Sequence, residues 1–181
     1  RRDLWNSVPD AMLSAGSFLQ DLGWQTGYRW GREVLLPKGF DFREAGRSLR
    51  RPLADWRRLG VTEVSGQPVA DLGLPATLLL PAGHRGPAFL VYTNFNVILG
   101  WNRSEYYALA VGYLADRIAG TGPLHRPPTS DAPRLSRTEV MRLQAALNDR
   151  GFDSGEVDGI LGPATRNAIR EYQLSSVAFQ V

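Results

Sequence analysis

The 181-residue chain has no cysteine and only one lysine, Lys38. The missing thiols exclude disulfide bonds, a thiolate nucleophile and cysteine-ligated metal. No apolar run approaches the ~18–20 residues that a bilayer span needs, so the sequence predicts no membrane-spanning segment. Hydrophobic residues still make up 43% of the chain, which predicts a folded core rather than disorder.

The formal net charge is +3, and the excess of basic over acidic residues lies before residue 135. The densest basic stretch, SLRRPLADWRR at 48–58, places four arginines around one tryptophan. A nucleic-acid groove uses such a pattern, but a solvated helix face uses it more often. We therefore predict no nucleic-acid partner, although a mildly basic surface suits anionic polymers in general, including the cell wall.

Capping patterns predict two helices in the first 120 residues. Ser7 and Asp10 form a capping-box pattern that predicts a helix over 7–23. Asn102 and Glu105 form an N-x-x-E pattern that predicts a helix running to Gly120. The inward-facing stripe of the second helix is predicted at Tyr106, Ala110, Tyr113, Leu114 and Ile118.

Between these helices the chain alternates short β-like runs with glycine- and proline-containing turns. The best strand candidates are VLLP at 34–37, ATLLL at 76–80 and AFLVYT at 88–93. The basic stretch at 48–59 is predicted to be helical despite Pro52. The middle of the chain therefore predicts a small β-rich region.

The last third of the chain begins with GTGPLHRPPTSDAPR at 120–134, which is rich in Pro and Gly and predicts a linker. A second capping box, Ser136 with Glu139, then starts a predicted helix that Gly151 ends. An Asp158-Gly159 turn follows, and Gly162-Pro163 starts another helix. The inward stripe of the first of these helices is predicted at Val140, Leu143, Gln144 and Leu147.

The stretch LQAALNDRGFDSGEVDGILGPATRNAIREYQ at 143–173 resembles the small helical peptidoglycan-binding module found at the ends of many wall hydrolases. It follows the pattern LQ…L…G(F/Y)…G…DG…G..T…A(I/V)…(F/Y)Q. The family continues with a third helix, whereas this chain ends in LSSVAFQV. The resemblance therefore implies a truncated peptidoglycan-binding module over 135–181.

The stretch NFNVILGWNRSEYYALAVGYLADRI at 94–118 resembles the end of the catalytic domain of lytic murein transglycosylases of the membrane-bound B type. RRDLWNSVPDAMLSAGSFLQDLGW at 1–24 is similar to the segment just after the catalytic and calcium-loop motifs of that family. The resemblance implies an α+β, mainly helical fold. Residues 1–119 would be the back half of a lysozyme-like catalytic domain, with a β-rich insertion at about 30–93.

The resemblance also implies a glycan-binding site around GWNRSEYY at 100–107. Aromatic rings stack on the apolar face of a sugar, while amide and phenol groups bind its hydroxyl and acetamido groups. The implied substrate-binding residues are Trp101, Asn102, Ser104, Tyr107 and Phe18. From the residues alone another interpretation stays open, in which Asn102 only caps a helix and both tyrosines, like Phe18, belong to the core.

Asp10 matches the last acidic ligand of the calcium loop in some relatives. A calcium site needs about 6–8 oxygen ligands, and the other ligands would lie before Arg1. We therefore predict no metal or cofactor for this chain, with Asp10 a weak candidate ligand and calcium possible in the full-length family member. Asp10 is better explained as the acid of the capping box.

Cleavage of a glycosidic bond needs a carboxylic acid to protonate the leaving oxygen. The resembled family is thought to use one Glu as both acid and base, in an E-S-x-F-G-type motif, and to form a 1,6-anhydro sugar. None of the seven glutamates of this chain lies in such a motif. The resemblance thus implies a catalytic Glu upstream of Arg1 and a fragment that is inactive alone.

Three functional hypotheses remain open from the sequence. The first is the C-terminal part of a periplasmic or cell-envelope lytic transglycosylase acting on peptidoglycan glycan strands. The second is a non-catalytic protein that targets the wall, and the third is a basic nucleic-acid binder.

Overall fold

The computed structural model describes residues 3–128 and 135–175. The chain divides into two compact units, residues 1–129 and residues 130–181. The ending LSSVAFQV, on which the expected truncation rests, lies mostly outside the described residues, as do residues 129–134 of the predicted linker. Within the described residues no helix is both long and apolar enough to span a membrane.

A five-stranded antiparallel sheet organises the first unit. Its strands, in chain order, are β1 (Gly31–Leu35), β2 (Arg50–Pro52), β3 (Thr62–Glu63), β4 (Pro75–Leu79) and β5 (Ala88–Val91). They lie in the sheet in the order β2-β4-β5-β1-β3, so β5 is the central strand, between β4 and β1. One row of directly opposed residues crosses the sheet through Arg50, Thr77, Val91 and Gly31.

The sheet is covered on both faces, which explains why all four residues of β5 are buried. On one face Leu78 and Leu90 pack against Leu53 and Trp56 of a short helix, α2 (Leu53–Arg58). On the other face Phe89 and Val91 pack against Trp30 and two further helices. These helices are α3 (Thr93–Trp101) and α4 (Glu105–Ile118).

Helix α4 packs on the core through its smallest residues. It buries Ala108, Leu109 and Gly112, and a Cβ added at Gly112 would lie 2.3 Å from Cδ2 of Trp30. Of the predicted inward stripe only Tyr113 packs against this core, where it is partly buried. The rest of the stripe was wrong, because the tryptophan ring packs against the helix backbone where side chains are absent. The large residues of the predicted stripe, Leu114 and Ile118, are exposed.

Helix α1 (Val8–Asp21) lies on the outside of the unit and has no buried residue. Ser7 caps it, with Oγ accepting from the Asp10 backbone N at 3.3 Å. The predicted capping box is only half formed, because the Asp10 carboxylate accepts from the backbone N of Asp3 at 3.0 Å. Three apolar side chains of this helix are more than 60% exposed, namely Val8, Met12 and Leu13.

Two predicted helix boundaries were wrong. Residues 50–52 form strand β2, and the helix begins only after Pro52. Arg50 and Arg51 pair with β4, and Pro52 is tolerated because β2 is an edge strand. The helix predicted from Asn102 begins instead at Glu105, with Ser104 as its N-cap.

The second unit contains two helices, α5 (Arg137–Asn148) and α6 (Pro163–Ser175). The predicted capping box is confirmed in both directions: Ser136 Oγ accepts from the Glu139 N at 3.3 Å, and Glu139 Oε2 accepts from the Ser136 N at 2.7 Å. The hydroxyl and the backbone N–H of Ser136 both donate to Glu139 Oε2, each at 2.7 Å, and these two bonds lower the pKa of the Glu139 carboxyl. The predicted α+β, mainly helical fold class is likewise confirmed.

Candidate functional site

Two aromatic rings meet at the end of α3. The rings of Phe18 and Trp101 form an edge-to-face pair, with centroids 5.1 Å apart and planes 83° apart. Both side chains are about half exposed, 45% for Phe18 and 46% for Trp101. Part of each ring surface is therefore available to a ligand while the contact restricts the orientation of Trp101.

Asn102 ends α3 rather than starting α4. Its backbone N donates to the carbonyl of Ile98 at 3.3 Å, and its Oδ1 accepts from the backbone N of Ser104 at 3.1 Å. The prediction that Asn102 caps the following helix was therefore wrong. Its side chain is exposed, and within the described residues its Nδ2 makes no hydrogen bond.

Ser104 is the residue that caps α4, because its Oγ accepts from the backbone N of Tyr107 at 3.3 Å. Tyr107 is 36% exposed and Tyr106 is 49% exposed, so neither tyrosine is a core residue. Tyr106 also has a partner outside its helix. Tyr106 donates its hydroxyl to the carbonyl of Pro81 at 2.9 Å, which fixes the start of α4 to the end of β4.

Residues 101–107 cover the exposed turn between α3 and α4 and the first residues of α4. An indole ring, an amide NH₂ that makes no hydrogen bond in the described part of the chain, and a phenol lie within these seven residues. We call the set Phe18, Trp101, Asn102, Ser104 and Tyr107 the ring cluster. Sugar sites combine rigid apolar surfaces with a few polar groups in this way. The ring cluster thus has the chemistry to stack on a sugar and to hydrogen-bond its substituents.

Of the four glutamates of the first unit only Glu105 lies beside the ring cluster, and Nε of Arg47 is 3.4 Å from its carboxylate. Glu33 accepts from the backbone N of His125 and of Arg126 at 2.7 and 2.8 Å. The other two, Glu44 and Glu63, contact Arg51 and Arg32. In the second unit Glu139 is in the capping box, Glu171 accepts from Asn167, and Glu156 is exposed.

The weak metal candidate, Asp10, is bonded to the backbone of Asp3. Across residues 3–128 and 135–175 no three side chains of His, Cys, Asp or Glu are grouped so that they could hold a metal ion.

Asn94 holds the segment before β1 against α3. It is completely buried, and its Oδ1 accepts from the Gln25 backbone N at 2.8 Å. Its Nδ2 donates to the carbonyls of Gln25 and Tyr28 at 2.9 and 2.8 Å. The sequence analysis missed this role, although an amide between apolar residues in YTNFNVIL is a usable signal for a buried polar anchor.

A recess beside the ring cluster was also missed. Arg47, Arg50, Thr77 and Asn96 line it together with the apolar residues Leu79, Val91, Tyr92 and Phe95. Arg50 belongs to the basic stretch that the sequence analysis interpreted as a solvated helix face. Because residues 50–52 form a strand instead, Arg50 stands on the sheet face that carries α3.

In the second unit the loop between the helices is organised around one buried amide. Nε2 of Gln144 donates to Asp158 Oδ1 at 2.9 Å and to Thr165 Oγ1 at 3.1 Å, and its Oε1 accepts from the Gly159 N at 2.8 Å. The bonds from Gln144 and Ile160 lower the pKa of the Asp158 carboxyl. Gly159, in the predicted Asp158-Gly159 turn, has a positive φ of 75°, which glycine adopts readily.

A sequence model described as a transglycosylase SLT domain matches residues 1–116, and one for a peptidoglycan binding domain matches residues 136–176. No curated protein sequence matches the chain. Two crystal structures of SltB3 from Pseudomonas aeruginosa are similar, with a TM-score of 0.87 and identities of 47% and 48%. One contains NAG-anhNAM-pentapeptide and the other NAG-NAM-pentapeptide.

The match covers 97% of this chain but only 47% of SltB3, so the chain spans about half the length of that relative. SltB1, a soluble lytic transglycosylase from Pseudomonas aeruginosa, is 27% identical over 66% of this chain and 39% of its own, with a TM-score of 0.52. A structure of the Escherichia coli lytic transglycosylase Slt35 in complex with calcium is 27% identical over 65% of this chain and 36% of its own, with a TM-score of 0.47.

Proposed function

Because this chain belongs to the SLT family of lytic transglycosylases, we propose that it is the C-terminal part of an enzyme that cleaves peptidoglycan. The whole enzyme would break the β-1,4 bond between MurNAc and GlcNAc and form 1,6-anhydroMurNAc. The relative SltB3 has been crystallised with an anhydro sugar, NAG-anhNAM-pentapeptide, which supports this choice of product. Such a protein acts on the wall, so we place it in the periplasm or cell envelope.

Within this enzyme the ring cluster binds the glycan strand. The half-exposed ring of Trp101, held edge-on by Phe18, offers a rigid surface for the C–H face of a sugar. The free Nδ2 of Asn102 and the hydroxyl of Tyr107 supply polar groups for hydroxyl and acetamido substituents. Ser104 acts by starting α4, which determines where Tyr107 lies.

The domain over 1–119 and the module over 135–181 would divide the work between them. We propose that residues 120–134 link the two, and that the module holds the enzyme on the wall while the ring cluster binds the strand to be cleaved. The match of residues 136–176 to a peptidoglycan-binding domain supports this division.

We propose that no carboxyl group of this chain protonates the leaving oxygen. The one glutamate beside the ring cluster, Glu105, is bound by Arg47 and is the first residue of α4. We therefore propose that the acid lies in another part of the enzyme. The reaction itself needs no metal, since one carboxyl group can act as acid and then as base.

Two exposed apolar helix faces support the existence of such a part. Val8, Met12 and Leu13 on α1 are exposed, as are Val111, Leu114 and Ile118 on α4. On α4 these residues recur at helical spacing, in line with Tyr107 four residues earlier. Apolar faces of this kind normally pack against another element of the domain.

The proposed inactivity is tested by incubating this chain with purified sacculi and analysing the soluble products by mass spectrometry. We expect no 1,6-anhydromuropeptides above the level of a buffer control. Addition of a separately produced SltB3 serves as the positive control for the sacculi. Release of anhydromuropeptides by this chain alone would show that one of its own carboxyl groups is catalytic.

The ring cluster is tested with a soluble, peptide-free GlcNAc-MurNAc tetrasaccharide, measured by calorimetry. Replacing Trp101 and Tyr107 by alanine should weaken binding about tenfold or more, since each aromatic contact contributes about 0.5–1.5 kcal/mol. The matched control replaces Trp5 and Tyr28, which are 94% and 50% exposed elsewhere on the unit, and should bind normally. Equal affinities of the two double variants would contradict the proposed site.

The alternative is a wall-targeting protein without catalysis. It is favoured by one observation, the match of residues 136–176 to a peptidoglycan-binding domain. The two functions differ in the sequence that precedes this chain in the whole protein: an E-S-x-F-G-type motif there supports the enzyme, and its absence supports the targeting protein.

A further inference from the structure

The recess beside the ring cluster has an apolar floor and a polar rim. Its floor is made by Leu79 and Val91 of the sheet and by Phe95 of α3. Arg47, Arg50, Thr77 and Asn96 form the rim. Arg50 and Thr77 are directly opposed on strands β2 and β4, so the sheet register fixes their relative position.

The charge of Arg50 is not neutralised within the part of the chain that the structure describes. Its Nη2 donates to the hydroxyl of Thr93 at 3.1 Å, which is a neutral acceptor. A guanidinium carries five N–H donors, so most of the hydrogen-bonding capacity of Arg50 stays unused. No carboxylate of residues 3–128 or 135–175 lies within ion-pair distance of it.

Two further polar groups of the rim, those of Arg47 and Asn96, are also accessible. Arg47 lies in an exposed turn and is 3.4 Å from Glu105, in a pair whose side chains are 57% and 37% exposed. Such an exposed pair is weak, so Arg47 can turn toward a ligand. Asn96 is exposed, and its amide makes no hydrogen bond within the described residues.

The size of the recess limits what it can hold. Its volume is about 20 Å³, whereas a single water needs about 10–15 Å³ on the same measure. A carboxylate fits this space, and a sugar ring does not. Two guanidinium groups and an amide are donors, so the chemistry of the rim matches an oxyanion and not a cation.

The recess and the ring cluster are linked at the start of α4. Arg47 lines the recess, and its Nε lies 3.4 Å from the carboxylate of Glu105, which directly follows Ser104. Asn96 and Trp101 lie on the same helix, but five residues turn their side chains about 140° apart. The group that reaches the recess from a sugar on the ring cluster must therefore be long, and a peptide, which spans about 3.3–3.6 Å per residue, has this length.

We propose that this recess binds a carboxylate of the peptide that is attached to the muramic acid, with Arg50 as its main partner and Arg47 and Asn96 beside it. The proposal rests on the proposed function, because it assumes a peptidoglycan strand on the ring cluster. When the lactyl group of muramic acid is joined to a peptide, the sugars carry no charge and the free carboxylates belong to the peptide. The recess thus makes the enzyme prefer strands that still carry peptides.

The test compares two ligands on this full chain by calorimetry at low salt: GlcNAc-MurNAc-pentapeptide, and a peptide-free ligand, GlcNAc-MurNAc, whose lactyl carboxyl group is amidated so that it carries no carboxylate. Arg50→Gln should weaken binding of the pentapeptide ligand about tenfold and leave the peptide-free ligand unchanged. Arg57→Gln is the matched control, since Arg57 is exposed on α2, on the opposite face of the sheet. A pentapeptide ligand with all carboxyl groups amidated should bind the unmodified protein as weakly as Arg50→Gln binds the acid.

Equal losses on both ligands, or an unchanged affinity of Arg50→Gln for the pentapeptide ligand, would overturn the proposal. If Arg50→Gln fails to fold, Arg47→Gln and the amidated ligand give the same comparison. A chain that binds the peptide-free disaccharide and gains nothing from the peptide refutes the recess alone. If the chain binds neither ligand, the proposed glycan site is refuted as well. If an oligodeoxynucleotide displaces the pentapeptide ligand and the peptide-free ligand does not, the recess is assigned to nucleic acid.

Discussion

The rings of Phe18 and Trp101 stand nearly perpendicular to each other, with 5.1 Å between their centroids and 83° between their planes. This contact joins α1 to the end of α3 across 83 residues of sequence. Residues at the ends of the two helices also approach each other closely, because a Cβ added at Gly100 would lie 3.3 Å from Leu22 Cδ1. Trp101 is therefore oriented by a helix that has no buried residue of its own.

Replacement of Phe18 by leucine tests this orientation. Leucine keeps the apolar bulk but loses the edge-to-face contact, so the free energy of unfolding should fall by about 0.5–1.5 kcal/mol. Binding of the peptide-free glycan should weaken several-fold, because Trp101 is then free to change rotamer. Denaturant unfolding and calorimetry measure the two effects, with Met12→Leu on the exposed side of α1 as the control.

Asn94 and Asn96 provide a matched pair on α3. Asn94→Ala removes the three hydrogen bonds of a buried amide, so the Gln25 N–H and the Tyr28 carbonyl lose this partner, while the Gln25 carbonyl still accepts from the Tyr28 N–H at 3.2 Å. We expect a loss of about 2–4 kcal/mol in stability, since each buried group left unpaired costs about 1–3 kcal/mol. Asn96→Ala at an exposed position should change stability by less than about 0.5 kcal/mol. Similar melting temperatures for the two variants would contradict this role of Asn94.

Two helical glycines should respond oppositely to alanine. A methyl group at Gly112 would overlap the Trp30 ring, with 2.3 Å to its Cδ2, and overpacking of this kind costs about 1–3 kcal/mol. Gly16 in α1 has nothing within 4 Å of an added Cβ. Gly16→Ala should therefore stabilise the chain by about 0.5–1 kcal/mol through helix propensity. Thermal melts of the two variants and of the unmodified chain show whether each substitution raises or lowers the melting temperature.

The hydrogen bonds to Asp158 make the second unit sensitive to acid. Gln144 and the Ile160 backbone lower the pKa of this carboxyl in the folded state, so the carboxylate contributes stability above its unfolded pKa of about 4. This contribution is lost as the pH falls below about 4 toward the lowered folded value. In Asp158→Asn the loss of stability between pH 5 and pH 3 should be smaller than in the unmodified chain.

The measurement is denaturant unfolding followed through signals of the second unit at several pH values. Glu156→Gln is the control, because Glu156 is exposed and makes no side-chain hydrogen bond within the described residues. A pH dependence that is unchanged in Asp158→Asn, or changed equally in the control, would assign the acid sensitivity to other groups.

The elements marked by capping and helical spacing were predictable from the sequence. Helices α1, α5 and α6 follow such signals, and the capping box of Ser136 and Glu139 is formed. Helix α3 was missed because AFLVYTNFNVILG passes from strand to helix without a glycine or proline before its end. Its N-cap, Tyr92, makes no side-chain capping bond, so the sequence carries no sign of the start.

The buried face of α4 could not be predicted, for a different reason. Spacing analysis gives weight to large apolar residues, whereas this helix packs through Ala108 and Gly112 against the ring of Trp30. That contact depends on a residue more than 80 positions away. The residues of the ring cluster came from the family resemblance, and their role in binding glycan stays a prediction.

The strand lengths at the two edges of the sheet limit how this chain can associate. Strand β3 has two residues and β2 has three, and β2 carries two arginines and ends in Pro52. Neither edge offers a row of free backbone groups long enough to pair with a strand of another molecule. The wholly apolar β5 is thus kept between neighbours, and growth of the sheet into an aggregate is blocked at both of its margins.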